Sequence, residues 1–282
     1  MDIDSLQHRF DTFRSLMTRR IREILLVSSV YDAYIIEEDG TLEERIWQQY
    51  ADRGLSTVPL IRKVASIERA LEVIANAAVD LVLAVVHEEA DLALDLAPRV
   101  KALRPELPVV LLVTDPGVLA RLGEREALPG VDRLFLWQND PTLLVAIVKS
   151  LEDRMNADHD TQAGGVRVVL LVEDSVAHVS TFLPVIYTAI MDLTRRLIDE
   201  GLNHFHRQLR MRSRAKVLLA SSYEEAVEVY RRFRPYMLGV ITDVRFRREG
   251  RPDAEAGFAL VRLLRRDTVS YTHLTLPTIY SV

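Results

Sequence analysis

Two short apolar runs in this chain end in carboxylates. Asp243 closes LGVIT, Leu238 to Thr242, and a helical pattern beginning Gly257-Phe258-Ala259-Leu260 follows it. Upstream, Glu173 and Asp174 close VRVVLLV. An acid at the carboxyl end of a buried strand lies on the edge of an open α/β sheet where ligands bind. Two such strands side by side would gather three carboxylates. At ~5 Å and an effective dielectric near ~20, each ionised pair repels by roughly 3 kcal/mol, so the cluster needs a cation or a raised pKa. Magnesium, a hard cation served by oxygen donors, suits it best.

The elements that must position these acids are legible as alternating apolar patterns. From Glu23 the chain reads as strand EILLVSS, helix TLEERIWQQYAD, strand VPLIRKVAS, helix SIERALEVIANA and strand VDLVLAVVH. It continues with a helix near ADLALDLAPRVKAL, strand PVVLLVTD, a short helix around GVLARLGE, strand VDRLFLW and helix PTLLVAIVKSLEDRM. Near-continuous Val, Leu and Ile strands joined by helices predict a parallel sheet covered on both faces. The polar stretch Asn156 to Gly165, with its paired glycines, reads as a linker. His159, between Asp158 and Asp160 in that stretch, lacks the surroundings of a metal or phosphorelay histidine.

A second unit starts at Arg167. Thirty-seven residues, Val176 to Arg212, separate its acid pair from the next strand, KVLLASS. Leu183, Ile186, Ile190, Leu193 and Leu197 form one apolar stripe, continued by Ile198, Leu202, Phe205 and Leu209 with a shift near Gly201. Helical throughout, the segment would be ~55 Å long at ~1.5 Å per residue. A projecting apolar stripe needs a partner, either the first domain or a second subunit; a hairpin broken at Gly201 is the alternative. Helix YEEAVEVYRRF, strand MLGVITD and loop VRFRREGRPDAEAG follow, with Arg245, Arg247, Arg248 and Arg251 flanking Asp243 as groups that could steer an anionic partner. Ahead of everything, Leu6, Phe10, Phe13, Leu16, Met17 and Ile21 repeat at helical spacing, an amphipathic amino-terminal helix.

With 282 residues and 49% hydrophobic content, the chain can bury two ordinary cores. It has no cysteine, so no disulfide framework and no thiolate metal site. The start, MDIDSLQHRFD, is too charged for a signal peptide, and no apolar run is read as reaching the ~18 residues of a membrane span. A cytoplasmic protein without membrane contact is expected. Residues 1 to 160 carry 18 Lys and Arg against 28 Asp and Glu, the remainder 18 against 13, so a half at -10 is joined to one at +5. That asymmetry suits mutual attraction of the halves and opposes general nucleic-acid affinity. The absence of a P-loop, dinucleotide fingerprint, nucleophile elbow or zinc motif argues against an enzyme in its own right.

The strand ending in Glu173-Asp174, the strand ending in Asp243 and the Gly257-Phe258 helix together resemble the receiver domain of two-component response regulators. The resemblance implies an α/β fold of two flavodoxin-like (CheY-like) doubly wound parallel-sheet domains. It makes Asp243 the phosphoacceptor, with Mg2+ held by Glu173, Asp174, Asp243 and the backbone carbonyl of Arg245, and a histidine kinase or phosphotransfer protein as partner. In residues 21–155 the order is similar but the chemistry is missing. Ser28 and Ser29 stand at the acid pair, Val85 or Val86 at the phosphoacceptor, Trp137 at the lysine, and Thr114 near the hydroxyl position. That unit resembles a pseudoreceiver. An unphosphorylated interaction and dimerisation scaffold is the competing expectation.

Two further resemblances bear on the whole. FDTFRSLM, EILLVSSVYDAYIIEEDG and GGVRVVLLVEDS look like the amino-terminal region of bacterial phosphoenolpyruvate synthase-like signalling proteins. VSYTHLTLPT, Val269 to Thr278, resembles a translated sequencing adapter. The expected organisation is an amino-terminal helix (1–20), a pseudoreceiver (21–155), a linker (156–165), a truncated receiver (166–267) and an artefactual tail (268–282). Without its last two βα units the second sheet should leave the Asp243 strand as an exposed apolar edge.

Overall fold

Branched aliphatic residues build the strands, and the extent of each apolar run decides how deeply its strand is buried. The computed structural model describes residues 14–29, 42–53, 55, 57–86, 91–123, 128–197 and 211–267. The first five strands are Glu23–Val27 (β1), Leu60–Val64 (β2), Leu81–Val86 (β3), Val109–Val113 (β4) and Arg133–Leu136 (β5). All pair in parallel, in the order β2-β1-β3-β4-β5. Every residue of β3 and β4 is buried, whereas β2, with Arg62 and Lys63, lies at the edge.

The helices of this unit are Leu42–Asp52 (α1), Ile67–Asn76 (α2), Asp91–Leu103 (α3), Pro116–Gly123 (α4) and Pro141–Gly164 (α5). Side chains alternate across the sheet with the period of two that a strand imposes. Ile24, Leu26, Leu83 and Leu112 pack towards α1 and α5; Leu25, Val27, Ala84 and Leu111 pack towards α2, α3 and α4. Short side chains start the helices. The Ser66 hydroxyl accepts from the Arg69 amide at α2, and the Asp140 carboxylate accepts from the Thr142 amide at α5, ahead of Pro141.

The second unit comprises Val168–Val172 (β6), Val176–Leu197 (α6), Lys216–Ala220 (β7), Tyr223–Phe233 (α7), Met237–Thr242 (β8), Phe246–Arg248 (β9), Arg251–Asp253 (β10) and Ala256–Asp267 (α8). Its sheet is parallel in the order β7-β6-β8, which repeats the start of the first winding. Leu170, Val172 and Ala220 face α7 and α8. On the opposite face, Leu171 and Val217 join the core formed by α1, α5 and α6. One apolar core therefore runs through both units. Among the described residues β8 is an edge strand: a register shift between Val168 and Val169 leaves Leu238 outside the pairing, and Leu238 and Ile241 are exposed.

Three expectations change. Asn156 to Gly164 are not a linker but the continuation of α5, which ends only at the left-handed Gly165 (φ 61°). Asn156, Asp160 and Thr161 among its polar side chains are buried, the first two against partners remote in sequence, while His159 and Gln162 stay exposed. Of the helix expected before residue 20, Arg14 and Ser15 are helical and residues 16–20 are not, Met17 having a positive φ of 54°; residues 1–13 lie outside the described residues. The loop after Asp243 is folded as an antiparallel hairpin of β9 and β10, turning at Glu249 (φ 53°) and Gly250 (φ 75°), consecutive positive values that belong to a tight hairpin turn.

The described part of the long helix ends at Leu197. α6 does not project freely but packs on α5 and β5 through Leu183, Tyr187 and Met191. Its stretch Val176–Arg196 is long and apolar enough, by length and composition, to cross a membrane, contrary to the expectation that no such run exists. Scattered Thr, Ser and Pro residues break the visual run without lowering its mean hydropathy much. Residues 198–210 and the tail 268–282 lie outside the described residues.

Candidate functional site

The backbone ladder of the second sheet continues one residue past its strands. The Glu173 amide donates to the Ala220 carbonyl (3.0 Å) and the Asp243 amide to the Val172 carbonyl (3.0 Å). Val172 pairs in register with Thr242, so Glu173 and Asp243 stand level on neighbouring strands, whose usual spacing is ~4.8 Å. Asp174 follows, half-buried, and Ser175 opens α6. The register thus brings all three sequence-predicted acids to one edge.

Glu173 is the buried member. Its Oε1 accepts from the Ser175 amide (2.9 Å), and its Oε2 lies 3.5 Å from His178 Nδ1. Burial pushes the Glu173 carboxyl up, and the charges of Asp243 and Asp174 push the same way; the Ser175 amide and His178 oppose them. Burial is the main cause, and the neighbouring carboxylates add to it. Among the described residues no three His, Asp or Glu side chains converge at metal-holding spacing. Glu173 is turned instead to Ser175 and His178. The donors are still three hard oxygen groups at one edge, with an electrostatic conflict that a cation would relieve, so their chemistry fits Mg2+.

The backbone behind Asp243 is held tightly. The Gly257 amide donates to the Val244 carbonyl (2.9 Å), and the first turn of α8 sits so close that a Cβ at Gly257 would lie 2.3 Å from the Asp243 carbonyl oxygen. Thr242 Oγ1 donates to the Asp243 carbonyl (2.8 Å). Phe246, fully buried, pins the start of the hairpin into the core beside α7 and α8. Arg245, Arg247 and Arg251 are exposed near this edge, while Arg248 lies over the Tyr223 ring (4.7 Å) and pairs with Asp253 (3.6 Å).

At the matching edge of the first sheet Ser28 and Ser29 stand where β6 is followed by Glu173 and Asp174. Ser28 is buried there, with its amide donating to Val64; the Thr114 amide donates to Val86, and the Trp137 amide to Val113. Trp137 is buried, and its indole N–H has no partner among the described residues.

Sequence reasoning missed a second cluster, at the junction of the units. Asp153 and Asp160 on α5 are fully buried. Asp153 accepts from both Arg214 terminal nitrogens (2.8 Å each), from Tyr187 Oη (2.8 Å) and from the Val217 amide (2.9 Å). Asp160 pairs with Lys216 (2.7 Å) and accepts from the Met17 amide (3.2 Å to each oxygen). Burial pushes the Lys216 ammonium down, against the pull of Asp153 and Asp160. Burial also works against Arg214, but Asp153 outweighs it and holds the guanidinium above its ordinary value. The available signal was spacing: Lys149, Glu152, Asp153, Asn156 and Asp160 form a stripe along one helix, and Arg214 and Lys216 share one face of an incipient strand.

No family model and no curated protein matches the chain. Among solved structures it is similar to a CheY-like response regulator receiver domain protein from Methanospirillum hungatei JF-1, at 16% identity over 49% of this chain and 98% of that one, with a TM-score of 0.35. It is also similar to the signal receiver domain of an HD domain-containing protein from Pseudomonas fluorescens Pf-5, at 22% identity over 51% of this chain and 99% of that one, with a TM-score of 0.34. The strand order of the first sheet decides the architecture independently of these. The fold is flavodoxin-like. In open parallel sheets ligands bind outside the carboxyl edge, and the carboxyl edge of the second sheet carries Glu173, Asp174 and Asp243.

Proposed function

We propose that the second unit is a phosphoryl-accepting receiver module with Asp243 as the acceptor. The register that sets Glu173 level with Asp243, at the carboxyl edge of a doubly wound sheet, supports this reading above any other feature. An Asp243 carboxylate oxygen attacks the phosphorus of a phosphohistidine on a partner kinase or phosphotransfer protein. The new O–P bond forms as the P–N bond breaks in line, and the departing imidazole keeps the nitrogen electron pair and takes up a proton. Glu173, Asp174, Asp243 and the Arg245 carbonyl would hold Mg2+, which would supply positive charge to offset the phosphoryl oxygens. Gly257 and the Thr242 hydroxyl hold the Asp243 backbone during the exchange, and Arg245, Arg247 and Arg251 draw the anionic donor towards it.

The first unit is read as a pseudoreceiver that contributes surface rather than chemistry, on the strength of Ser28 and Trp137 at its carboxyl edge. The pair forms a cytoplasmic regulatory region, not an enzyme in itself, of a larger protein with a phosphoenolpyruvate synthase-like catalytic part. A phosphorylation-independent scaffold is the second reading, favoured by the core that α5 and α6 share across both units.

Magnesium-dependent binding of beryllium trifluoride, measured by calorimetry on the full chain, separates the two. Saturable binding that is lost in Asp243→Asn establishes the acceptor. A folded protein that binds none sinks it and leaves the scaffold.

A further inference from the structure

α6 is more apolar than its burial explains. Its stretch Val176–Arg196 has the apolarity of a membrane span, yet only 28% of its 18-residue apolar window is buried. Leu183, Tyr187 and Met191 belong to the core. Phe182 (44% exposed), Val185 (65%), Ala189 and Leu193 (58%) face outward, and exposed Arg196 follows them. Their steps of three and four residues make a seam of the kind along which a second helix packs, and an exposed apolar patch of this kind marks an interaction surface. Alongside runs a groove of about 490 Å³, lined by Leu136, Leu143, Pro184, Val185 and Ala189 and, among its acids, by Asp140.

The charges of this surface are placed at opposite ends. Asp140 belongs to the Ser180 end of α6: the Leu136 amide, just before it in the chain, donates to the Ser180 hydroxyl (2.8 Å). The neighbouring helix α1 agrees, since its Arg45 holds the Asn139 carbonyl while Arg53, two turns on, reaches Thr188. Arg196 lies at the far end and has no carboxylate partner among the described residues.

We propose that a second copy of this chain covers α6, the two helices packing antiparallel about a two-fold axis level with Tyr187. The seam is complementary to itself in that direction, because Phe182 and Leu193, and Val185 and Ala189, are each centred on Tyr187 to within half a residue. Val185 then meets the partner's Ala189, whose small side chain lets the two backbones approach, and Phe182 meets the partner's Leu193. Arg196 of each copy comes to the Asp140 end of the other. A parallel pair would set Arg196 against Arg196 and leave both Asp140 carboxylates without a cation, and like charges so placed repel. One patch is used twice, as in any two-fold contact. The contact does not require Asp243 to accept a phosphoryl group, so it stands or falls separately from the receiver reading.

Sedimentation velocity of the full chain, from about 1 to about 100 μM, should show a reversible monomer–dimer equilibrium. Val185→Glu and Leu193→Glu change exposed positions that the folded monomer does not use, and circular dichroism should show both folded. Each should weaken association at least about 10-fold by placing unpaired carboxylates in the seam. Arg196→Glu should weaken it about 3- to 10-fold, and adding Asp140→Asn, which keeps the cap of α5, should return part of that loss. The chain has no cysteine, so introduced ones report the register. Phe182→Cys chains mixed with Leu193→Cys chains should cross-link on oxidation, and neither should do so alone. A monomer at every concentration overturns the contact, as does a dimer that Val185→Glu leaves intact or a Phe182→Cys chain that cross-links to itself. A monomer that sediments with vesicles of phosphatidylethanolamine and phosphatidylglycerol overturns it too, and assigns the seam to a lipid surface.

Discussion

Arg214 and Asp153 face each other across the junction of the two sheets, guanidinium to carboxylate through two hydrogen bonds of 2.8 Å, with Arg214 4% and Asp153 0% exposed. Around them Tyr187 from α6, Lys216 from β7 and Met17 from the segment before β1 complete a buried polar knot on α5. The acidic first half and the basic second half meet here and at Arg232 with Asp158. Arg133 with Glu225 runs the other way. A second tie is Ser180, whose Oγ accepts from the Leu136 amide (2.8 Å) on the outer strand of the first sheet and donates to Val176 (2.7 Å). The two units therefore meet as parts of one packed body.

Arg214→Met is expected to destabilise the chain strongly. The substitution leaves Asp153 charged, buried and without its bidentate partner, a loss of about 3–5 kcal/mol. Replacing both members, Arg214→Met with Asp153→Leu, should recover much of that. Denaturant unfolding followed by circular dichroism measures both. A loss under about 1 kcal/mol for the single variant would show the pair to be ornamental.

Gly257→Ala should disturb Asp243 without touching its carboxylate. The added Cβ would stand 2.3 Å from the Asp243 carbonyl oxygen and 2.9 Å from Val244 Cα, backbone atoms that cannot rotate away. The first turn of α8 must retreat, at a cost of about 1–3 kcal/mol, and beryllium trifluoride binding should fall with it. Gly239→Ala on β8 is the control, since nothing lies within 4 Å of a Cβ there. Equal behaviour of the two variants would remove Gly257 from the site.

Glu173 should make the metal-free protein less stable as pH rises. Its carboxyl is raised by burial and by Asp243 and Asp174, so the folded chain binds that proton more firmly than the unfolded chain. The stability it contributes is fully present below the ordinary carboxylate range and is lost as pH climbs through the raised folded value. Glu173→Gln should therefore melt higher than the native chain at pH 7 without divalent cations, with the gap closing towards pH 4. Scanning calorimetry across that interval checks it. A gap that widens on acidification would mean that the carboxylate is stabilised as an anion.

The alternation of strands and helices in the first unit was legible because buried parallel strands are apolar on both faces. The acids at the ends of β6 and β8 were legible because they interrupt such runs abruptly. The carboxy-terminal half of α5 was not legible. Asn156, Asp158 and Asp160 look like solvent-loving linker residues until Arg19, Arg232, Met17 and Lys216 are brought beside them. The hairpin of β9 and β10 was hidden for the same reason: its arginines read as a charged loop, while one buried residue, Phe246, holds it to the core.

The sequence by itself determined the periodicities, and with them the alternation of strands and helices and the placement of Glu173, Asp174 and Asp243 at strand ends, because those follow from local pattern; the winding order was only what the receiver resemblance implied. Only the tertiary structure decided that α5 serves both units, that α6 docks on β5, and that Glu173 turns to Ser175 and His178. Each of those depends on which groups water is excluded from, and burial of a charge is settled by partners that may lie any distance away along the chain.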